Sequence, residues 1–232
     1  MIDKKRLIAR GASYGMDLAP IASALEQYAS LLVEYNKKVN LTAITDAEGI
    51  ENKHFIDSLL LAQLPEVSGR LVDVGTGAGF PGVVAKLYKP DLQLTLMEPT
   101  GKRLDFLRYL CGELGIEAEF VKERAEEAAR KQWREQFDVA TARGVAALPM
   151  LSEYCVPLVK VGGVFIAMKG NDAAELAACG GALATLGAQI LRREERKLPD
   201  GAARSLILVK KISQTSTVYP RNGGKIAKAP LK

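Results

Sequence analysis

The stretch LVDVGTGAGFPG, residues 71–82, decides the fold of this chain. Its apolar start ends at three glycines on alternate positions, Gly75, Gly77 and Gly79, and apolar residues resume at helical spacing from Val83. Glycine is needed where the backbone passes close to a ligand or takes a positive φ angle. A strand that breaks into such a turn and continues as a helix is typical of a nucleotide-binding loop. A tight turn without a ligand is the alternative, but it does not require three alternating glycines.

The spacing of the glycines separates two classes of cofactor. In a dinucleotide fingerprint, GxGxxG, counted from Gly75, the third glycine would fall at position 80, where the sequence has Phe80. A shifted match from Gly77 begins two residues late and contains Pro81. An acidic residue on the strand followed by GxGxG fits better, and Asp73 with the three glycines resembles motif I of S-adenosylmethionine-dependent methyltransferases. The loop therefore favours S-adenosylmethionine, with a dinucleotide-binding module as the alternative.

Apolar runs and turn residues alternate regularly beyond the loop. The pattern predicts strands over 92–97, 118–121, 137–141, 164–168, 189–198 and 204–211, with helices over 102–114, 125–133, 147–159 and 172–186. Gly162 and Gly163 are predicted to form a turn, and the last two strands a hairpin. Strands alternating with helices indicate a parallel sheet covered on both faces. The sequence thus predicts an α/β fold: a doubly wound, seven-stranded, mostly parallel sheet, Rossmann-like as in class I S-adenosylmethionine-dependent methyltransferases.

Two helices with one apolar face are predicted before the loop, over 19–38 and 48–64. They are expected to pack beside the sheet as an N-terminal helical extension. The predicted organisation is therefore an extension over 1–65, a methyltransferase domain over 66–212 and an irregular basic tail over 213–232.

Composition limits the class of protein. The 232 residues are 48% hydrophobic and 25% charged, as in ordinary globular proteins, and no apolar run approaches the ~18–20 residues of a membrane span. Cys111, Cys155 and Cys179 are scattered without CxxC spacing, so neither a disulfide framework nor a metal site is expected. The amino terminus lacks the apolar region of a secretory signal. We expect a cytoplasmic monomer without a membrane partner.

Two further carboxylates follow predicted strands. Glu98 ends the second strand about 20 residues beyond the loop, where an acidic group can accept hydrogen bonds from both ribose hydroxyls of an adenosyl group. Ala125 and Glu126 follow the third strand, where an adenine edge would lie. The alternatives are an acid at a helix N-terminus for Glu98 and a solvated acid for Glu126.

No residue stands out as a base that could remove a proton. The fourth strand ends in Thr141-Ala142-Arg143-Gly144 and lacks the acid or Asn followed by Pro-Pro and an aromatic that amino-methylating enzymes carry there. Cys155 lies within a predicted helix, and Lys169 has no obvious partner set. A guanine N7 carries a lone pair and no proton, so its methylation requires only in-line positioning. No catalytic residue is assigned, and Arg143 is expected to border the transfer site.

The chain as a whole resembles the RsmG (GidB) family of 16S rRNA guanine-N7 methyltransferases. The resemblance rests on Asn40-Leu41-Thr42, His54-Phe55-Ile56-Asp57-Ser58-Leu59, Asp73 through Gly82, Lys102-Arg103, Phe106-Leu107, Arg124-Ala125-Glu126, Arg143, Lys169-Gly170 and Tyr219-Pro220-Arg221. It implies S-adenosylmethionine contacts at Gly75, Phe80, Ala125, Glu126 and Arg143. It also implies methylation of one guanine in the 530 loop of 16S rRNA.

Two positions depart from this family pattern. Glu98-Pro99-Thr100 stands where many members have Asp-Ser, and Arg143-Gly144 replaces the more usual Arg-Ala. The first change keeps the carboxylate but alters the following turn. The second keeps the arginine but is expected to loosen the corner behind it.

Basic residues dominate the end of the chain. The net charge is +5, and no acidic residue occurs from Gly201 onward. A positive segment indicates a polyanionic partner, and a solvated tail is the alternative. Tyr219, Arg221, Lys225 and Lys228 are therefore predicted to contact 16S rRNA, in the small ribosomal subunit or an assembly intermediate. Deletion from Tyr219 onward is expected to weaken rRNA methylation and to spare cofactor affinity.

Overall fold

The protein contains one seven-stranded sheet with helices on both faces. A computed structural model describes residues 2–170 and 172–232. The strands lie in the order β3-β2-β1-β4-β5-β7-β6. Their bounds are β1 Arg70–Val74, β2 Gln93–Met97, β3 Ala118–Val121, β4 Phe137–Arg143, β5 Val159–Lys169, β6 Ala188–Lys197 and β7 Ala203–Lys211.

The strand directions make the sheet mostly parallel. β1 pairs in parallel with both β2 and β4, and β5 continues the parallel pairing from β4. β7 lies antiparallel between β5 and β6. The predicted doubly wound, seven-stranded sheet with a terminal hairpin is thus confirmed. Because the strand order reverses between β1 and β4, a crevice opens at their carboxyl ends, where ligands bind in open α/β sheets.

The helices after β1 follow the predicted alternation, with shorter bounds. They are α5 Gly82–Tyr88, α6 Gly101–Glu113, α7 Ala125–Ala128, α8 Leu148–Cys155, α9 Ala173–Ala177, α10 Gly180–Thr185 and α11 Gly223–Lys228. The single helix predicted over 172–186 is wrong, because α9 and α10 are separate. The break falls at Ala178 and Cys179, immediately before the glycine pair that begins α10, and residues without a Cβ have weak helix propensity.

Within the described residues, four α-helices precede the sheet: α1 Lys4–Ser13, α2 Ala22–Asn36, α3 Ala47–Gly49 and α4 Asp57–Ala62. A π-helical turn, Ile50–Ile56, joins α3 to α4. The apolar pattern does not predict α1, which is mostly polar. Its position is fixed by charge, because Arg6 and Arg10 donate hydrogen bonds to the buried Glu51 carboxylate. The division of the chain at residues 65 and 212 stays a prediction.

The strands present alternate residues to two cores. On β1, Leu71 belongs to the core that includes residues of α2, α4, α5 and α6, whereas Val72 and Val74 belong to the core that includes residues of α7, α8 and α10. This is the period-two alternation of a sheet buried on both faces. Within the described residues, no helix is long and apolar enough to cross a membrane.

The turn predicted at Gly162 and Gly163 is wrong, because both residues lie within β5. The pairing of β4 with β5 shifts register between Phe137 and Val139, so the glycines occupy a bulge. Gly162 has a φ angle of +88°. A Cβ on Gly163 would lie 2.6 Å from the Asp138 carbonyl oxygen. Glycine here permits a kinked strand, which a propensity rule cannot distinguish from a turn.

The prediction of an irregular segment over 213–232 is also wrong in part. Asn222 caps α11 by accepting a hydrogen bond from the Lys225 backbone N–H at 2.9 Å. Ile226 on this helix is fully buried. The last part of the chain is therefore packed on the domain, and α11 contacts α8.

Substitution of Gly163 tests the bulge. We expect Gly163→Ala to lower the free energy of unfolding by about 1–3 kcal/mol, because the added methyl overlaps strand backbone. Urea unfolding monitored by circular dichroism measures the change. Gly112→Ala is the matched control, since a Cβ at this position in α6 meets nothing within 4 Å. Equal stability of the two variants would contradict the steric explanation.

Candidate functional site

The glycine loop lies at the crevice, between the end of β1 and the start of α5. Gly75, Gly77 and Gly79 have φ angles of +66°, +59° and +98°, values that residues with a side chain rarely adopt. The Gly75 N–H donates to the Met97 carbonyl at 2.8 Å, which ties the loop to the end of β2. The three alternating glycines are thus required by backbone conformation.

Asp73 holds the two sides of this loop together. Its Oδ2 accepts hydrogen bonds from Thr76 Oγ1 at 2.7 Å and from the Gly82 N–H at 2.8 Å. Asp73 is fully buried, and its Oδ1 has no partner among the described residues. Burial raises the pKa of Asp73 to about 6, although the Thr76 and Gly82 hydrogen bonds oppose the shift. The contact of Asp73 with a cofactor stays a prediction. Its Oδ2 is occupied by the two hydrogen bonds within the loop.

Glu98 lies across the loop at the end of β2 and is 2% exposed. Its Oε2 accepts from the Gly77 N–H at 3.2 Å, and its Oε1 accepts from the Thr100 N–H at 2.9 Å. Each oxygen of a carboxylate can accept two hydrogen bonds. The side chain therefore retains acceptor capacity beside the glycine backbone.

A cavity of about 200 Å³ opens next to the loop. Its walls are formed by Val74, Gly75, Met97, Pro99, Glu123, Arg124, Ala125, Glu126, Val145, Ala146, Met150 and Tyr154. Of the predicted cofactor residues, the structure brings Gly75, Ala125 and Glu126 together on this cavity. Glu126 is 6% exposed, and its carboxylate accepts no hydrogen bond within residues 2–170 and 172–232. A carboxylate on the wall of a cavity can accept hydrogen bonds from a ligand or from water.

Arg143 is directed toward the N-terminal helices. Its Nη1 donates to Asp57 Oδ2 at 2.9 Å and to the Lys53 carbonyl at 3.0 Å. Asp57, itself 1% exposed, also accepts from Arg204 Nε at 2.9 Å. The Asp57 carboxylate thus joins α4, β4 and β7. Asp57 belongs to a sequence motif, but its two arginine partners lie 86 and 147 residues away. No local sequence pattern could therefore predict these pairs.

Phe80 lies in a stack of rings behind the glycine loop. Its ring is parallel to Tyr28, with centroids 5.0 Å apart, and to His54, with centroids 4.4 Å apart. The Arg143 guanidinium lies over the same ring at 5.3 Å. Tyr28 Oη donates to the Ala78 carbonyl at 2.6 Å. Phe80 is 5% exposed, so the cofactor contact at this residue, which stays a prediction, would involve its backbone.

His54 is neutral in this stack. Its Nε2 forms a hydrogen bond with Thr42 Oγ1 at 3.0 Å, and the residue is 7% exposed. Burial, with the nearby positive charge of Arg143, lowers the pKa of His54 to about 4. These contacts are those of a packed residue.

The predicted RNA-binding residues separate into two groups. Lys225 and Lys228 are exposed on α11. Arg221 is paired internally, with its Nη2 2.6 Å from Oε2 of the fully buried Glu153. Tyr219 packs partly against the core beside α8. All four RNA contacts stay predictions, and only the two lysines present free charges.

The residues around the cavity fit S-adenosylmethionine on three grounds. The Glu126 carboxylate has an open acceptor, and Glu98 has acceptor capacity beside the loop. Gly75 lines the cavity with backbone, and a Cβ there would lie 2.7 Å from Val145 Cγ2. Apolar walls from Met97, Pro99 and Met150 suit a planar base.

Solved structures define the class of fold. The chain is similar to TrmN from Thermus thermophilus, with a TM-score of 0.53 and 17% identity over 67% of this chain and 48% of that one. It is also similar to the B. subtilis M1A22 tRNA methyltransferase TrmK, with a TM-score of 0.54 and 11% identity over 68% of this chain and 66% of that one. The [4+2]-cyclase SpnF matches with a TM-score of 0.58 and 14% identity over 81% of this chain and 95% of that one. The fold is that of class I S-adenosylmethionine-dependent methyltransferases, although a cyclase shares it.

Sequence comparison then gives the family. Residues 21–194 match the GidB model, described as rRNA small subunit methyltransferase G. "Ribosomal RNA small subunit methyltransferase G" of Alkaliphilus metalliredigens is 46% identical over 211 residues, covering 88% of each chain. The protein of the same name from Moorella thermoacetica is 42% identical over 240 residues, covering 100% of both. The chain belongs to the GidB family of rRNA small subunit methyltransferases.

The neutral state of His54 predicts a pH dependence of stability. Its folded pKa lies below the ordinary value of 6.5, so the stability it contributes is present above pH 6.5 and is lost as the pH falls toward 4. Between pH 7 and pH 5 we expect wild type to lose about 2 kcal/mol more unfolding free energy than His54→Gln. Urea unfolding at both pH values measures this. Asp73 titrates in both proteins, so comparison with the variant cancels its opposite effect. Parallel pH profiles would contradict the assigned pKa.

Proposed function

We propose that this protein transfers a methyl group from S-adenosylmethionine to N7 of a guanine in the 530 loop of 16S rRNA. The observation that carries the proposal is full-length similarity to proteins named ribosomal RNA small subunit methyltransferase G. The base position and the loop follow from the RsmG resemblance. A complete methyltransferase sheet, with carboxylates beside the glycine loop, supports the same reaction.

The cofactor would be held by residues of β1, β2 and α7. Gly75, Gly77 and Gly79 allow close backbone approach, Glu98 would accept hydrogen bonds from the ribose hydroxyls, and Glu126 with Ala125 would border the adenine. S-adenosylmethionine, when bound, supplies a methyl group on a positively charged sulfur. The protein's own contribution is to orient this ligand and exclude water from the crevice.

Candidate bases and nucleophiles in the protein are engaged or inert. Lys169 Nζ is 2.7 Å from Glu175 Oε2 and donates to the Ala146 carbonyl at 2.6 Å. Cys155 is fully buried, and burial raises the pKa of its thiol well above the ordinary value. Since a guanine N7 has no proton to lose, in-line transfer needs neither group. These contacts support methylation without a general base.

Arg143 would border the transfer site with its charge partly neutralised. Asp57 accepts from both Arg143 and Arg204, so a carboxylate stands between two cations. N7 methylation places positive charge on the guanine ring, which an unpaired arginine nearby would disfavour. We assign Asp57 the role of fixing Arg143 and partly neutralising its charge.

The exposed lysines of α11 would contact rRNA phosphates. Lys225 and Lys228 project from the domain surface, and the chain carries a net charge of +5. Phosphate contacts of this kind weaken steeply as salt rises, because counterions released on binding must return.

Methylation of isolated subunits tests the substrate. Small ribosomal subunits that lack the modification are incubated with the protein and labelled S-adenosylmethionine. The label is expected in 16S rRNA at a single 530-loop guanine, detected by strand cleavage at 7-methylguanosine. Small subunits that already carry the modification are the control and should accept no label. Label at another nitrogen, or only in small molecules, would overturn the substrate assignment.

Substitution of Glu98 tests the cofactor site. Glu98→Gln should weaken S-adenosylmethionine binding by about tenfold, because a hydrogen bond to a charged group is worth roughly 1.5–3 kcal/mol. Isothermal titration calorimetry measures the dissociation constant. Glu119→Gln, an exposed acid on the neighbouring β3, should bind as wild type does. If both variants bind equally, Glu98 does not contact the ribose.

A further inference from the structure

The segment from Thr215 to Gly223, named here the C-terminal strap, is fastened to the domain by arginines. Arg134 donates to the carbonyls of Thr215, Ser216 and Tyr219, the last at 2.8 Å. Arg130 donates to the Pro220 carbonyl at 2.7 Å. Both arginines lie between α7 and β4. Because they bind backbone oxygens, they fix the path of the strap whatever its side chains are.

A buried ion pair anchors the end of the strap to α8. Glu153 is fully buried and receives the Arg221 backbone N–H at 2.8 Å, Nε at 2.9 Å and Nη2 at 2.6 Å. The hydrogen bond to the Glu153 side chain raises the pKa of Arg221. Glu153 precedes Tyr154, which lines the cavity. The anchor is therefore on the same helix, α8, as one wall residue of the cavity.

The strap ends against the carboxylate of Glu126. A Cβ on Gly223 would overlap Glu126 Oε1, so this carboxylate oxygen lies where a side chain on residue 223 would otherwise be. Glu126 accepts no hydrogen bond within the described chain, and the residue lines the cavity. With no donor to orient it, the carboxylate is positioned by packing, and Gly223 supplies one of the packing surfaces.

We propose that the C-terminal strap is part of the cofactor site, with Gly223 as a positioning residue that aims Glu126 into the cavity. The Arg221–Glu153 pair holds Gly223 at the required distance. The inference rests on the proposed function, in which Glu126 borders the adenine. It replaces the sequence-based expectation that removal of residues from Tyr219 onward spares cofactor affinity. Arg221 then acts on the cofactor site through its pair with Glu153, whereas Lys225 and Lys228 on α11 remain available to bind rRNA.

Two adjacent glycines supply a matched test. Neither Gly223 nor Gly224 has a positive φ angle, so alanine is compatible with the backbone at both. A Cβ on Gly224 would meet only Asn222 Oδ1, at an ordinary 3.7 Å, whereas one on Gly223 displaces the Glu126 carboxylate. We expect Gly223→Ala to raise the calorimetric dissociation constant for S-adenosylmethionine by about tenfold, comparable to one lost hydrogen bond to a charged group. Gly224→Ala should change it less than about twofold, within ordinary surface effects.

The melting temperature of the free protein provides a readout that does not involve the ligand. Alanine is a better helix former than glycine, so neither variant should melt below wild type. Loss of affinity at Gly223 with an unchanged melting temperature supports the proposal. A dissociation constant for Gly223→Ala equal to that of Gly224→Ala overturns it.

A double-mutant cycle identifies Glu126 as the mediator. In a Glu126→Ala background, Gly223→Ala should have no further effect on the dissociation constant, because the displaced carboxylate is gone. Additive effects, or a Glu126→Ala variant that binds as wild type does, would overturn the proposal. Failure of wild type to bind S-adenosylmethionine would instead overturn the proposed function, and this inference with it.

Discussion

The buried carboxylate of Asp73 is the constraint on which the site depends. Burying a carboxylate is costly unless donors face it, and Asp73 receives two from opposite ends of the same loop. Those bonds close residues 76 to 82 into a compact turn and oblige the intervening glycines to adopt left-handed backbone angles. Burial nevertheless raises the pKa of Asp73 to about 6, so desolvation exceeds what the donors recover. The turn that Asp73 closes exposes its backbone to the crevice.

The loop is also held from the side of the N-terminal helices. Tyr28 donates to the Ala78 carbonyl, and its ring stacks on Phe80. The Arg143 guanidinium also lies over the Phe80 ring, and it donates a hydrogen bond to Asp57 at the start of α4. The helices before β1 therefore pack against the glycine loop and support it. A methyltransferase sheet without them would lose the packing behind its own glycine loop.

Much of the fold could be predicted because its signals are local. The alternation of apolar runs and turns located the strands, and the spacing of Gly75, Gly77 and Gly79 located the crevice and the class of ligand. The bulge at Gly163 could not be predicted, because a glycine pair has the same composition in a kinked strand as in a turn. The internal pairing of Arg221 was hidden for a related reason. A run of basic residues without acidic neighbours predicts exposed side chains, and only the fold brings Glu153 of α8 beside Arg221.

The arginine pairs around Asp57 also bear on the order in which the chain assembles. Asp57 meets Arg143 and Arg204 across 86 and 147 residues of sequence, and it needs β4 and β7 in place before either bond can form. Contacts that close such long loops form after local helices and neighbouring strands, because the entropy cost of closing the loop must be met before the contact contributes stability. The two bonds to Asp57 are therefore complete only in a chain whose sheet has formed through its seventh strand, which carries Arg204.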